Sequence, residues 1–233
     1  MKYSLLALIG ILLAATAGAE FSHRYQEVEG FNHQIYLEGY ELPIMNAGPM
    51  DPAPSPDGSQ IAFSARGWIW VMDLDSGQAR RITQTAAADS RPEWSPDGSE
   101  IVFNRDHGRK LAIVTVNPRS GRERIIVDDG SINLDPVFSP DNSFIYYSSA
   151  KGGHFNLWRA ELDSRATEQV TATGEAQRRL LKRRPQVLGD GQEVLYIRKQ
   201  STRDSIEIID TRTQESSTLA VDRLSSQTDL SVS

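Results

Sequence analysis

The chain contains no cysteine, which excludes disulfides and thiolate chemistry and leaves packing to supply its stability even in an oxidising compartment. Beyond the first nineteen residues it has no long apolar run, so nothing downstream can span a bilayer as a helix. Neither a Gly-x-Ser-x-Gly nucleophile elbow nor a Gly-x-x-x-x-Gly-Lys phosphate loop is present, and these are the motifs that announce a hydrolase or a nucleotide enzyme. The four histidines, at 23, 33, 107 and 154, stand apart without His-x-His or His-Glu-x-x-His spacing. No catalytic residue, metal set or cofactor site can be assembled from the sequence. Acidic side chains number 31 against 25 basic ones, and no aromatics interleave with the basic residues, which disfavours nucleic acid as a partner.

The first nineteen residues differ in kind. Lys2, an apolar stretch from Leu5 to Ala15 and the small residues Ala17-Gly18-Ala19 read as a cleavable secretory signal with cleavage after Ala19. A periplasmic or secreted protein that does not span the membrane after processing is expected.

What the chain has in abundance is one phrase. Asp51-Pro52-Ala53-Pro54-Ser55-Pro56-Asp57-Gly58 returns as Arg91-Pro92-Glu93-Trp94-Ser95-Pro96-Asp97-Gly98 and as Asp135-Pro136-Val137-Phe138-Ser139-Pro140-Asp141-Asn142. A worn copy follows at Arg184-Pro185-Gln186-Val187-Leu188-Gly189-Asp190-Gly191, and Asp229 to Ser233 stand in register with the opening of a fifth. A period of 40 to 49 residues marks a repeat architecture whose units bury their apolar faces only against neighbours.

Each unit carries β-branched and aromatic runs bounded by Gly, Asp and Ser, as in Gln60 to Ala65, Trp68 to Leu74 and Ala79 to Thr83, which are strand signals. Pro presets the turn and the Gly or Asn after Asp accepts the left-handed conformation that closes a hairpin. The fourth hairpin, with Leu188-Gly189, is expected to be the loosest. Four units of short antiparallel strands point to an all-β fold, a β-propeller with four blades, the start of a fifth and an incomplete ring. The boundaries expected are a signal at 1–19, an N-terminal segment at 20–50 with a candidate ring-closing strand at Gln34 to Tyr40, blades at 51–88, 89–133, 134–182 and 183–227, and the truncated fifth unit at 228–233. Phe63, Trp70, Phe103, Val114, Tyr146, Trp158, Leu195 and Ile208 are expected on the buried faces.

The phrase Pro-x-Trp/Phe-Ser-Pro-Asp-Gly, followed by strands such as Gln60 to Phe63 and Ile69 to Leu74 and by an Arg-Ile-Thr ending, resembles the TolB-type propeller repeat over residues 51 to 220. The resemblance implies a module that binds a protein or envelope component through its ring face or channel, with no catalysis of its own. Similar blades stand at the N-terminus of large secreted hydrolases, amidohydrolase-like metal enzymes and prolyl-oligopeptidase relatives, so a propeller that serves a catalytic domain elsewhere in a longer protein is the alternative. Only about thirty residues separate signal and repeats here, where TolB itself carries an α/β domain.

Candidate partner-binding residues are few. Arg178, Arg179, Lys182, Arg183 and Arg184 crowd into seven positions and read either as a docking patch for an acidic partner or as a solvated connector with one helical turn. His107 and His154 fall between the second and third strands of their units, in loops that gather on one propeller face. Asp73 to Gly77 has a calcium-loop look but lacks the remaining ligands and reads as a hairpin turn. Asp57, Asp97, Asp141 and Asp190 have a complete structural reason in their turns and are assigned no catalytic role.

Overall fold

The computed structural model describes residues 48–172, 181–200 and 203–222. The expected signal, the strand at 34–40, Arg178, Arg179 and the fifth unit at 228–233 lie outside them. Four antiparallel sheets follow one another, each a four-stranded meander in chain order. Sheet 1 comprises β1 (Met50–Pro54), β2 (Gln60–Ala65), β3 (Trp68–Asp73) and β4 (Ala79–Arg81). Sheet 2 comprises β5 (Ala88–Trp94), β6 (Ile101–Asp106), β7 (Leu111–Val116) and β8 (Glu123–Val127). Sheet 3 comprises β9 (Asn133–Phe138), β10 (Phe144–Ser149), β11 (Asn156–Glu161) and β12 (Thr167–Gln169). Sheet 4 comprises β13 (Leu181–Leu188), β14 (Glu193–Gln200), β15 (Arg203–Asp210) and β16 (Ser216–Asp222). A single 3-10 turn at Lys151–Gly153 is the only helical element among the described residues. First strands of successive sheets pack on each other, β1 on β5, β5 on β9 and β9 on β13, so they form the hub and β4, β8, β12 and β16 the rim. This is an incomplete propeller of four blades.

The turn phrase closes each β-hairpin between a first and a second strand in one repeated way. Gly58 N donates to Ser55 O at 2.9 Å, Gly98 N to Ser95 O at 2.9 Å and Asn142 N to Ser139 O at 3.0 Å. The closing residues sit in the left-handed region, with φ of 70° at Gly58, 69° at Gly98 and 58° at Asn142, which is why glycine or asparagine stands there. Each serine Oγ donates to the aspartate two residues on at 2.6 Å and accepts the backbone N–H five residues on at 2.9 Å. In the fourth hairpin Gly191 N still reaches Leu188 O at 2.9 Å, but a leucine has no hydroxyl to repeat the other two bonds.

The stretch before the turn is itself a strand, the innermost of each blade, and carries a feature that strand propensity does not show. All four first strands hold one extra residue against their partner, between Met50 and Ala53, Ser90 and Glu93, Leu134 and Val137, and Arg183 and Gln186. The residue before proline there is left-handed every time: Asp51 (φ 52°), Arg91 (55°), Asp135 (53°) and Arg184 (55°). Proline lacks a ladder N–H and bars its predecessor from the right-handed helical region, and the bulge absorbs both constraints.

Burial follows position in the array. β6 and β7 are buried at every residue, whereas β2 and β3 alternate, because sheet 2 has a neighbour on each face and sheet 1 on one. Phe103, Val114 and Tyr146 are buried as expected. Phe63, Trp70, Trp158, Leu195 and Ile208 are only half-buried. In sheet 1 the neighbour covers Ala62, Ile69 and Val71 instead, and in sheet 4 it covers Val194, Tyr196 and Ile209.

Candidate functional site on the innermost strands

The four bulges set a row of alternating charge along the hub: Asp51, Arg91, Asp135 and Arg184. Left-handed non-glycine residues cost on the order of 1 kcal/mol or more each, so four equivalent ones mark positions where side-chain placement outweighs backbone comfort. Asp51 Oδ2 accepts from Ser64 Oγ at 2.9 Å. Asp135 is the centre of the row. Its Oδ2 accepts from Arg183 Nε at 2.7 Å and from the Arg184 backbone N–H at 3.1 Å, and its Oδ1 from Arg91 Nη1 at 3.2 Å. Arg184 Nε lies 3.6 Å from the same Oδ1. Blades 2, 3 and 4 are thus tied through one carboxylate whose side chain is 3% exposed.

Burial alone would raise the Asp135 carboxyl, but the guanidinium groups of Arg183, Arg184 and Arg91 outweigh it and hold the group far below the usual carboxylate range. A carboxylate locked in its ionised form is a poor general acid or base near neutrality. Its work is to orient arginines, whose planar forks match carboxylate and phosphate oxygens. Arg184 retains 22% side-chain exposure and is the member of the cluster best placed to meet a partner.

A second buried network lies within blade 2 and joins its first, second and fourth strands. Arg105 Nε donates to Asp89 Oδ1 at 2.7 Å and Nη1 to Glu123 Oε2 at 2.7 Å. Burial pushes the Asp89 carboxyl up while its bonds to Arg105 pull it back, and the two carboxylates hold the guanidinium charged. Between blades 3 and 4, Lys182 Nζ donates to Ala172 O at 3.0 Å and Asn156 Oδ1 at 3.3 Å. Burial brings this lysine down to about 8, with Glu207 opposing the shift and Arg198 adding to it.

The structure therefore divides the basic cluster. Lys182 and Arg183 are buried near the start of β13, so neither the solvated connector nor a surface role fits them: Lys182 meets Asn156 and Arg183 meets Asp135 of blade 3. Arg184 is partly open. His107 is exposed and its N–H donates to Lys110 O at 3.1 Å, closing the loop between β6 and β7. His154 is half-buried in the corresponding loop between β10 and β11. Both loops lie at the same end of neighbouring blades, alongside the Lys110–Asp128 and Lys151–Asp129 ion pairs. No group of three or more His, Asp or Glu side chains placed to hold a metal occurs among the described residues.

The turn aspartates are committed elsewhere. The Ser55 hydroxyl and the Ser59 backbone and hydroxyl bonds draw Asp57 down to about 2, and Asp97 and Asp141 are lowered by the same partners in their own hairpins. Asp73 Oδ1 accepts from Ser76 N at 2.9 Å, and Gly77 N reaches Asp73 O at 2.9 Å, which makes that segment a hairpin turn. A shallow cleft of about 240 Å³ between the first two hairpins is lined by Asp57, Arg80, Trp94, Asp97 and Arg119 among others.

The TolB β-propeller domain matches residues 28–231. The chain belongs to the TolB β-propeller family. It is similar to TolB from Acinetobacter baumannii, at 21% identity and a TM-score of 0.65 over 74% of this chain and 43% of that one, a likeness of fold. It is 27% identical over 126 residues to the uncharacterized protein Atu1656 of Agrobacterium fabrum, across 52% of this chain and 43% of the relative. It is also 27% identical over 154 residues to dipeptidyl-peptidase 5 of Porphyromonas gingivalis, across 58% of this chain and 22% of that enzyme. The chain spans less than half the length of each relative.

Proposed function

We propose that this chain is a binding module of the cell envelope, periplasmic or secreted, whose TolB-type blades recognise an acidic protein or envelope component without catalysis of their own. The observation that carries the reading is the pinning of Arg91, Arg183 and Arg184 around Asp135 on the innermost strands. A fixed, partly open guanidinium is a recognition element for an anionic group, and its support consists of charges too firmly ionised for proton transfer. Arg178 and Arg179, a few positions earlier in the sequence and outside the described residues, remain proposed partner-binding residues, with His107 and His154 candidates at the loop end.

The test is capture of envelope components by immobilised chain beginning at Glu20. A stoichiometric partner that is retained by the parent protein and lost by Arg184→Ala, with unchanged melting, supports the reading, and equal retention by both contradicts it.

The likeness to dipeptidyl-peptidase 5 favours a second reading, in which these blades belong to a longer secreted hydrolase and gate or recognise its substrate. An antibody against residues 48–172 separates the two in cell envelopes: a species of this chain's own size favours the binding module, and a species several times larger favours the hydrolase.

A further inference from the structure

The seam between blades 1 and 2 departs from the next one at its turn end, opposite the loops that carry His107 and His154. In blade 2, Glu100 donates its backbone N–H to Ser95 Oγ at 2.9 Å, and its carboxylate meets Arg124 of β8 at 2.7 Å. Blade 1 holds Arg80 at the place of Arg124, since Arg80 pairs with Val71 on β3 as Arg124 pairs with Thr115 on β7. Gln60 stands at the place of Glu100, with its N–H on Ser55 Oγ at 2.9 Å. A side-chain amide cannot neutralise a guanidinium, so the charge that blade 2 compensates within itself is left over in blade 1.

Arg80 lines the cleft of about 240 Å³ between the first two hairpins, and Arg119 lines it from the turn between β7 and β8 of blade 2. Both arginines are exposed, and no carboxylate among the described residues pairs with either. Pro56, Pro96 and Trp94 add apolar surface, and the Trp94 N–H is already given to Ala53 O at 3.0 Å. Asp57 and Asp97 line the same cleft, and their turn bonds keep them ionised. Asp57 receives Ser55 Oγ, Ser59 N and Ser59 Oγ on its Oδ1, which leaves Oδ2 to accept from a ligand.

A bare anion gains little where two arginines stand among two carboxylates. A ligand that carries N–H donors beside its own carboxylate uses both signs, and the last residue of a peptide chain is such a ligand. The cleft is smaller than the roughly 300–1,000 Å³ taken by a drug-sized ligand, which suits a chain end. We propose that this cleft captures the C-terminal end of a peptide. The terminal carboxylate is held by Arg80 and Arg119, a backbone N–H by Asp57 Oδ2, and the peptide bond by the donor and acceptor of the Gln60 amide, with the last side chain against Pro56, Pro96 and Trp94. The site is separate from the hub arginines and does not depend on what they bind.

Heteronuclear NMR on isotope-labelled chain beginning at Glu20 tests this, with N-acetyl-tetraalanine carrying a free carboxylate, the same peptide capped as an amide, and acetate as probes. The free-acid peptide should shift the backbone amides of Ser59, Gly98 and Arg119 saturably up to millimolar concentration. The capped peptide and acetate should each bind at least about tenfold more weakly, because each lacks one sign of the contact. Arg119→Gln should weaken the free-acid peptide by a similar factor. Gln60→Glu should close Arg80 as Glu100 closes Arg124 and remove the shifts without lowering the melting temperature. No saturable shift at these amides, equal binding of the capped peptide, or undiminished binding by Gln60→Glu overturns the proposal. Acetate that binds as well as the peptide reduces the cleft to an anion site and overturns it equally.

Discussion

Asp135 and Arg183 lie 48 residues apart in the chain and meet at 2.7 Å, Oδ2 to Nε, with both side chains at most 5% exposed. The contact joins the innermost strands of blades 3 and 4, and Arg91 reaches the same carboxylate from blade 2. A blade is short and weak alone, and this shared ion holds three of them in register at the hub.

Replacing Asp135 by Asn should destabilise the chain by about 3 kcal/mol or more, since breaking a buried charge pair leaves the opposing charge poorly compensated. The folded carboxyl is lowered, so its contribution is present above the unfolded pKa and fades as pH falls through the acid range. Urea melts of parent and variant should therefore differ by a steady amount from neutrality down to about pH 4 and draw together progressively as pH falls further. A difference that stays constant below about pH 4 would refute the assignment.

Lys182 gives a slope of the same sign, displaced to alkaline pH. Its folded pKa of about 8 lies below the ordinary 10.5, so between these values the unfolded chain binds more protons and stability from this group rises with pH. Lys182→Met should lack that rise. Above about pH 10, the buried Tyr147 and Tyr196, whose pKa values burial raises, act the other way, because only the unfolded chain can ionise them readily. Thermal melts at half-unit steps from pH 7 to pH 10 read the difference.

In the turn, Gly98→Val should cost about 1 kcal/mol or more, because a β-branched residue resists the left-handed conformation found at φ 69°. Asp97→Asn should be mild, since an amide oxygen can still accept the bonds from Ser95 Oγ at 2.6 Å and Ser99 N at 3.0 Å. Chemical denaturation of both variants orders them. An Asp97→Asn change as costly as Gly98→Val would show that the carboxylate charge does more than shape the turn.

Much of this was legible in the chain, and the reasons divide cleanly. The hairpins were legible because Pro56, Asp97 or Asn142 act through local torsions and bonds within five residues. The charge row was in plain view, as Asp, Arg, Asp and Arg stand before proline in successive phrases, but no local rule says that a left-handed bulge there brings residues 91, 135 and 183 together. Lys182 and Arg183 suggested solvent because dense charge usually seeks water, and only the meeting with Asn156 and Asp135 makes their burial tolerable. The buried face of an end blade was likewise unreadable: Ile61 and Ala62 are both plausible core residues, and only the presence of a neighbour decides between them.

Recognition of an anionic partner by the ordered arginines of the hub is tested most directly by the affinity of a captured envelope component for the parent chain and for Arg184→Ala at low and high salt. At least about a tenfold loss is expected in the variant at low salt, with both affinities falling and drawing together as salt screens the contact. Equal affinities at low salt, with the melting temperature unchanged, would contradict it.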